Sequence, residues 1–324
     1  MRALLCEAHG PPETLVLRDI ATPVPQAGEV RIAVRAAGVN FPDALVIQNR
    51  YQRQPPLPFA PGSEVAGIID AVGPGVAHVR LGDRVAAYGL AGGFAERIVL
   101  PADRVAPLGD AMDFATGAVF TMAYGTAYHA LARRGALAAG ETVLVLGAAG
   151  GVGLAAVEVA KALGARVIAA ASTPEKLALA RAHGADATID YSTEDLKDAA
   201  KRLTDGRGVD IVVDPVGDRF AEPAFRAIAL HGRYLVIGFA GGAIPSIPLN
   251  LPLLKTASIV GVAWGAYAAR DPAGYRADAA TLAALHAQGR LRPHISLRLP
   301  LERGGEAIRL MMDRKVTGKI VVIP

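Results

Sequence analysis

Val143-Leu144-Val145-Leu146-Gly147-Ala148-Ala149-Gly150-Gly151-Val152-Gly153-Leu154 is the stretch that decides the fold. Four apolar residues run into a glycine cluster, and an Ala- and Val-rich segment follows to Leu163. This reads as a buried strand, a tight turn and the opening of a helix. The first N–H groups of a helix lack intrahelical partners, and glycine lets a bound group approach them closely. A pyrophosphate is the natural occupant of such a loop. In the pattern G-x-G-x-x-G the first place is Ala148 here, and Gly150 and Gly153 hold the other two. Ala149, Gly150, Gly151 and Val152 are the candidate phosphate-binding residues. The competing reading is a tight β–α turn that binds nothing.

The surroundings favour the phosphate. Short apolar strands are predicted at Val143–Leu146, Arg166–Ala170, Thr188–Asp190, Val209–Asp214, Tyr234–Ile237 and Ile259–Val262. Helices are predicted between them at Gly153–Leu163, Pro174–His183, Glu194–Leu203 and Ala221–Leu230, and a Pro-rich loop precedes the sixth strand. Apolar strands alternating with helices imply a parallel, doubly wound α/β sheet covered on both faces. Before it, Ala115–Arg134 reads as one long helix. The first third, to about Gly117, is β-rich, with strands at Val30–Val34, Val65–Val72 and Arg84–Tyr88 and prolines that forbid long helices. The tail returns to mixed texture, with helices near Ala277–Gln288 and Leu301–Asp313 and a strand at Lys319–Ile323. The simplest division is a nucleotide domain, 118–263, inserted into a β-rich domain of 1–117 and 264–324.

Composition narrows the function. The 324 residues are 52% hydrophobic and 20% charged, which argues against disorder. Thirty-four basic and 30 acidic residues leave +4, and no block of five Lys/Arg occurs, so nucleic-acid or membrane-surface binding gains little support. The N-terminal apolar run is too short for a secretory signal, and the longest uncharged apolar stretch, Val143–Val157, is interrupted by four glycines and falls short of the ~20 residues of a membrane span. A soluble, cytoplasmic protein is expected. Cys6 is the single cysteine, and the seven histidines show no ligand spacing, so no metal site is expected. Neither a Gly-x-Ser-x-Gly elbow nor a Walker loop is present.

The end of the second strand bears on the cofactor. An NAD site usually places an acid there, on the ribose 2′-OH. This chain reads Ala169-Ala170-Ala171-Ser172-Thr173-Pro174-Glu175-Lys176. Ser172 can donate to a 2′-phosphate and Lys176 supplies charge, so NADPH is preferred to NADH. Tyr191, after the third strand, can add a hydroxyl. The competing view makes Thr173-Pro174 a plain helix start and Lys176 an ordinary exposed residue.

Ala36-Ala37-Gly38-Val39-Asn40-Phe41-Pro42-Asp43, Pro61-Gly62-Ser63-Glu64-Val65-Ala66-Gly67, Gly73-Pro74-Gly75-Val76, Gly82-Asp83-Arg84-Val85, the glycine loop and Asp214-Pro215-Val216-Gly217 together resemble the medium-chain dehydrogenase/reductases, in their zinc-free quinone oxidoreductase branch. The resemblance spans nearly the whole chain. It implies a Rossmann domain inserted into a GroES-like β-barrel domain. Zinc-bearing relatives have Gly-His-Glu where this chain has Gly62-Ser63-Glu64, and a cysteine near the Asn40 segment, where none occurs. By similarity, Asn40 lies near the nicotinamide and Thr126 on a helix facing the cofactor. Ser172, Lys176 and Tyr191 surround the 2′-phosphate, Gly238, Phe239 and Trp264 line the cofactor cleft, and Arg314 brings a basic group toward it. Trp264 is also placed in the substrate pocket, its competing reading being a core or interface aromatic. Tyr51, eleven residues after Asn40, matches a tyrosine of related enoyl reductases proposed to protonate the substrate. A neutral phenol can donate to a developing enolate or hydroquinone oxygen. Its competing reading is a surface aromatic in Arg50-Tyr51-Gln52-Arg53.

The expected activity is metal-free, NADPH-dependent reduction of a quinone, with Asn40 and Tyr51 as catalytic candidates. The alternative is an enone or enoyl-thioester reductase with Tyr51 as proton donor, and a third reading is an NADPH-binding protein with little turnover. An apolar sixth strand at the sheet edge suggests a homodimer.

Overall fold

The computed structural model describes residues 1–324 and divides into two units. One comprises Met1–Met122, Ala268–Ala283 and Pro293–Pro324; the other comprises Ala123–Tyr267 and Ala284–Arg292. The sequence boundaries at 117/118 and 263/264 therefore move to 122/123 and 267/268. Ala284–Arg292 also joins the nucleotide unit. There the Arg292 N–H donates to the buried Glu158 carboxylate at 2.9 Å, and His286 Nδ1 lies 2.8 Å from the Leu291 carbonyl oxygen.

The second unit is built on six parallel strands. Their spatial order is Ala187–Asp190, Arg166–Ala171, Thr142–Leu146, Val209–Asp214, Ile228–Val236, Ser258–Gly261. Leu144 pairs with Ile168 on one side and Val212 on the other. Helices are needed to cover a sheet this apolar on both faces, and Leu144, Leu146, Ile168, Ile189, Val212 and Phe225 form its buried core. The order reverses direction at the Thr142–Leu146 strand, so the glycine loop emerges at the topological switch point, where open α/β sheets bind ligands.

The first unit holds a seven-stranded sheet. Its path runs Ile295–Pro300, Lys319–Ile323, Glu29–Gly38, Glu64–Val72, Arg84–Tyr88, Val105–Pro107, with Arg97–Pro101 also on Glu29–Gly38. Val30, Ile32 and Val34 alternate inward along the long strand, the period of a sheet buried on one face. Residues from the C-terminal segment thus complete a sheet begun near the N-terminus.

Several predicted elements differ. The Ala221–Leu230 helix stops at Arg226, and Ile228–Leu230 join the next strand, where Ile228 pairs with Val209. His231 at φ +62° bends that strand. The Ala115–Arg134 helix is α-helical over Phe114–Tyr128 and widens into a π-turn at His129–Arg134, with Gly135 N–H reaching the Ala130 carbonyl. The proline-rich first third does admit one short helix, Phe41–Ile47, because Pro42 falls in its first turn, where no N–H is needed. Helices Asn250–Lys255 and Trp264–Arg270 and the strand Ile295–Pro300 are additions.

Candidate active site

In the nucleotide unit the glycine loop closes as expected. Gly150 caps the helix Gly151–Ala162 in an extended conformation, and its N–H bonds back to the Gly147 carbonyl at 2.9 Å. Leu154 N–H is the first to reach back into the loop, to Gly150 O at 2.8 Å. The N–H groups of Gly151, Val152 and Gly153 therefore form the open helix start, with Ala149 buried beneath them. Gly153 is required by contact, since a Cβ there would lie 2.1 Å from the Gly147 oxygen.

Two devices hold this loop. Asp214, buried at the end of its strand, accepts from the Val216 and Gly217 N–H groups at 2.7 Å each and from the Tyr234 hydroxyl. The turn so fixed brings Val216 against Gly147, within 2.8 Å of where a Cβ would stand. Burial pushes the Asp214 carboxyl up, against those three donors. Behind the loop, Glu158 on the glycine-loop helix accepts from the Tyr124 hydroxyl at 2.6 Å and meets His183 Nδ1 at 2.6 Å. His183 ends the helix Pro174–Ala182 that carries Lys176. Burial and the neighbouring Glu158 raise Tyr124 well above the ordinary phenol range, so it stays a donor.

At the end of the second strand, Thr173 caps the helix by accepting from Lys176 N–H, and Lys176 Nζ lies 3.4 Å from Ser172 Oγ. Both are half-buried, and neither meets a carboxylate. Tyr191 joins them through its N–H, which donates to Ala171 O at 3.2 Å. Thr126 is half-buried on the Phe114–Tyr128 helix. Gly238 and Phe239 follow the fifth strand, with Phe239 against Gly217. Trp264 is buried at 5% exposure, its indole nitrogen 2.7 Å from where a Gly125 Cβ would be. It packs against Gly125, on the helix that carries Thr126.

The first unit gathers the other candidates, and it adds residues the sequence reading passed over. Lys319 is buried, and its ammonium donates to Asn40 Oδ1 at 2.5 Å, Glu64 Oε1 at 2.7 Å and Val39 O at 2.9 Å. Asn40 Nδ2 donates to Glu64 Oε1 at 2.9 Å, and the Met122 N–H donates to Glu64 Oε2 at 2.8 Å. The Asn40 amide is thus spent inside its own unit. These contacts hold the Asn40 side chain at the start of the Phe41–Ile47 helix. Asp43 accepts the Asn40 N–H at 2.7 Å and is 1% exposed. Burial raises its carboxyl to about 6, opposed by the Asn40 N–H, Ser63 and Lys319. Tyr51 packs half-buried on the core of this unit, and burial raises its phenol. Arg314 is exposed, at φ +57° just after the Gly304–Met312 helix. A lone lysine opening the apolar run Lys319-Ile320-Val321-Val322-Ile323 was the available sign of this network.

The comparisons agree with this layout. Residues 26–110 match the family model "Alcohol dehydrogenase GroES-like domain" and residues 151–283 match "Zinc-binding dehydrogenase". A quinone oxidoreductase-like protein 2 homolog of Nematostella vectensis is 40% identical, covering 99% of this chain and 88% of its own. A solved quinone oxidoreductase of Pseudomonas syringae superposes with a TM-score of 0.94 at 32% identity, covering 100% and 99% of the two chains. The Escherichia coli quinone oxidoreductase, solved complexed with NADPH, gives 0.93 at 29% identity over 100% of both. The fold and site define a dinucleotide-dependent oxidoreductase built from GroES-like and Rossmann parts. The chain belongs to the medium-chain dehydrogenase/reductase superfamily, among the quinone oxidoreductases.

The residues do not fit a zinc ion. No group of three or more His, Cys, Asp or Glu side chains is brought together to hold a metal, and Glu64 is matched by the Lys319 ammonium instead. They do fit a dinucleotide, through the open N–H groups of a glycine loop closed so tightly that Gly153 has no room for a Cβ.

Proposed function

We propose that this protein is an NADPH-dependent oxidoreductase that reduces quinones without a metal. The observation that carries the cofactor choice is the Ser172–Lys176 pair at the strand end, where no carboxylate stands. When bound, NADPH supplies a hydride. The open N–H groups of Gly151, Val152 and Gly153 hold the pyrophosphate, with Ala149 and Gly150 shaping the turn. Ser172, Lys176 and Tyr191 hold the 2′-phosphate. Thr126, Gly238, Phe239 and Arg314 complete the cofactor contacts, and Trp264 fixes the helix under Thr126. Asn40 is placed by Lys319 and Glu64. Tyr51, kept protonated by burial, donates to the acceptor oxygen as it gains electrons.

Two further readings stay attached to this one. Tyr51 favours an enone or enoyl-thioester reductase, because a half-buried neutral phenol is a competent proton donor to an enolate. A protein that binds NADPH with little turnover is the third. The test is NADPH oxidation by metal-free protein with 1,4-benzoquinone and a simple enone side by side. Quinone turnover alone supports the first reading, and enone turnover at comparable efficiency replaces it with the second. Tight NADPH binding with neither acceptor reduced supports the third.

The assembly we propose is a homodimer through the Rossmann sheet edge. Ser258–Gly261 has no strand beyond it, Ile259 is 43% exposed, and Leu253 and Leu254 nearby are 75% and 72% exposed. A second copy covers such a face well. A cytoplasmic location is proposed with it; no helix is long and apolar enough to cross a membrane.

A further inference from the structure

We propose that Arg219, with Phe220 and Tyr191 as its platform, is a second cation of the 2′-phosphate subsite and sets the preference for a phosphorylated ribose. The inference rests on the NADPH reading above and names a residue that neither the glycine motif nor the resemblance marked.

The geometry lies wholly in the nucleotide unit. Asp190 pairs with Ala171 across the two outer strands, so Tyr191 leaves its strand beside Ser172. The Tyr191 ring packs on Phe220, with centroids 4.3 Å apart and planes inclined by 41°. The Arg219 guanidinium lies over the Phe220 ring, 4.9 Å from its centroid. A contiguous path therefore runs from Lys176 and Ser172, through Tyr191 and Phe220, to Arg219. Phe220 and Arg219 end the short turn Asp218–Phe220, which follows the loop that Asp214 fixes.

What points to a ligand is how this arginine is kept. Arg226 is tied to Glu222 at 2.6 and 2.8 Å, and Asp218 Oδ1 accepts the Arg219 N–H at 2.8 Å. The Arg219 side chain makes no ion pair and no hydrogen bond; its partner is a ring. Stacking orients a guanidinium without consuming its N–H donors, which remain free for a doubly charged phosphate. It borders an open cavity of about 490 Å³, lined also by Asp218, Glu222, Arg226, Pro245 and Ser246, with Glu222 held by Arg226. Lys176, at the other end of the path, likewise meets no carboxylate. Two unneutralised cations bracketing a Ser–Tyr pair suit an added phosphate better than a bare ribose diol.

The test measures binding to the full-length protein, by titration calorimetry, of NADPH, NADH and 2′,5′-ADP. Arg219→Ala is expected to weaken NADPH and 2′,5′-ADP about tenfold, the scale of one lost charge-assisted contact, and to leave NADH within about twofold. Arg219→Lys, which keeps charge but loses the planar stack, should fall between. Arg226→Ala, a neighbouring exposed arginine already paired, should change none of them. Equal loss for NADPH and NADH would overturn the proposal and assign Arg219 to the base. Unchanged NADPH binding, or an Arg226→Ala loss matching that of Arg219→Ala, would overturn it too. Failure of the underlying reading looks different: the parent protein itself would show no preference for NADPH over NADH.

Discussion

Asp43 offers the sharpest quantitative test of the buried network. Asp43→Asn keeps the side chain's shape and an oxygen to accept the Asn40 N–H. It removes the need to hold a charge where only 1% of the residue meets solvent. Burial moves the carboxyl from 3.8 to about 6 in the folded protein. A group raised on folding contributes stability that is fully present below its unfolded value and is lost as pH rises through its folded value. The parent should therefore lose about 3 kcal/mol from this one group between pH 4 and pH 7, and the variant should not. The readout is urea unfolding of both proteins across that range, followed by far-ultraviolet circular dichroism and compared as variant minus parent. That difference should climb in the variant's favour by about 3 kcal/mol, with its midpoint near pH 5. A flat difference would show that burial does not dominate. A difference that falls with rising pH would mean that Lys319 and the Asn40 N–H hold the carboxylate ionised, and the reasoning would be wrong in sign.

Three more expectations follow from the same contacts. Lys319→Met leaves the Glu64 carboxylate buried without its cation and should cost about 3–5 kcal/mol in urea unfolding, while adding Glu64→Gln should recover much of it. Gly153→Ala forces a Cβ to within 2.1 Å of the Gly147 oxygen, so the loop must open; NADPH and ADP-ribose should both bind at least tenfold more weakly by calorimetry, whereas an unchanged affinity would remove the loop from the site. Val260→Lys places a charge on the exposed edge strand and should shift the gel-filtration peak from dimer to monomer; an unmoved dimer would place the interface elsewhere.

The parts that were legible in the sequence are those whose physics is local. A strand, a glycine turn and a helix lie within twelve residues at Val143–Leu154, so their pattern survives translation into sequence. The Ser172–Lys176 pair lies within five residues, across the start of one helix, and is visible for the same reason. The Asn40–Glu64–Lys319 network was not, because its members come together only across the sheet, Lys319 lying 279 positions beyond Asn40. Ile295–Pro300 is harder to read, because its alternation spans only six residues, half of them face solvent, and its pairing partner Lys319–Ile323 lies beyond an intervening helix. Ile228–Leu230 were given to a helix because an alanine-rich approach outweighed the local pattern, and pairing with the neighbouring strand decided otherwise. Arg219 was invisible for another reason: only the packing of Phe220 on Tyr191 singles it out from other exposed arginines.

The position of Lys319 also bears on how the chain is made. Glu64 and Asn40 leave the ribosome early, and the ammonium that neutralises Glu64 emerges more than 250 residues later. During that interval Glu64 has no native cation, and the Glu29–Gly38 strand lacks its neighbour Lys319–Ile323. The six strands of the nucleotide sheet, by contrast, are all translated by Gly261. Vectorial synthesis should thus let the inserted unit mature first, while the sheet of the first unit waits, exposed to chaperones and proteases, until Lys319–Ile323 has been made.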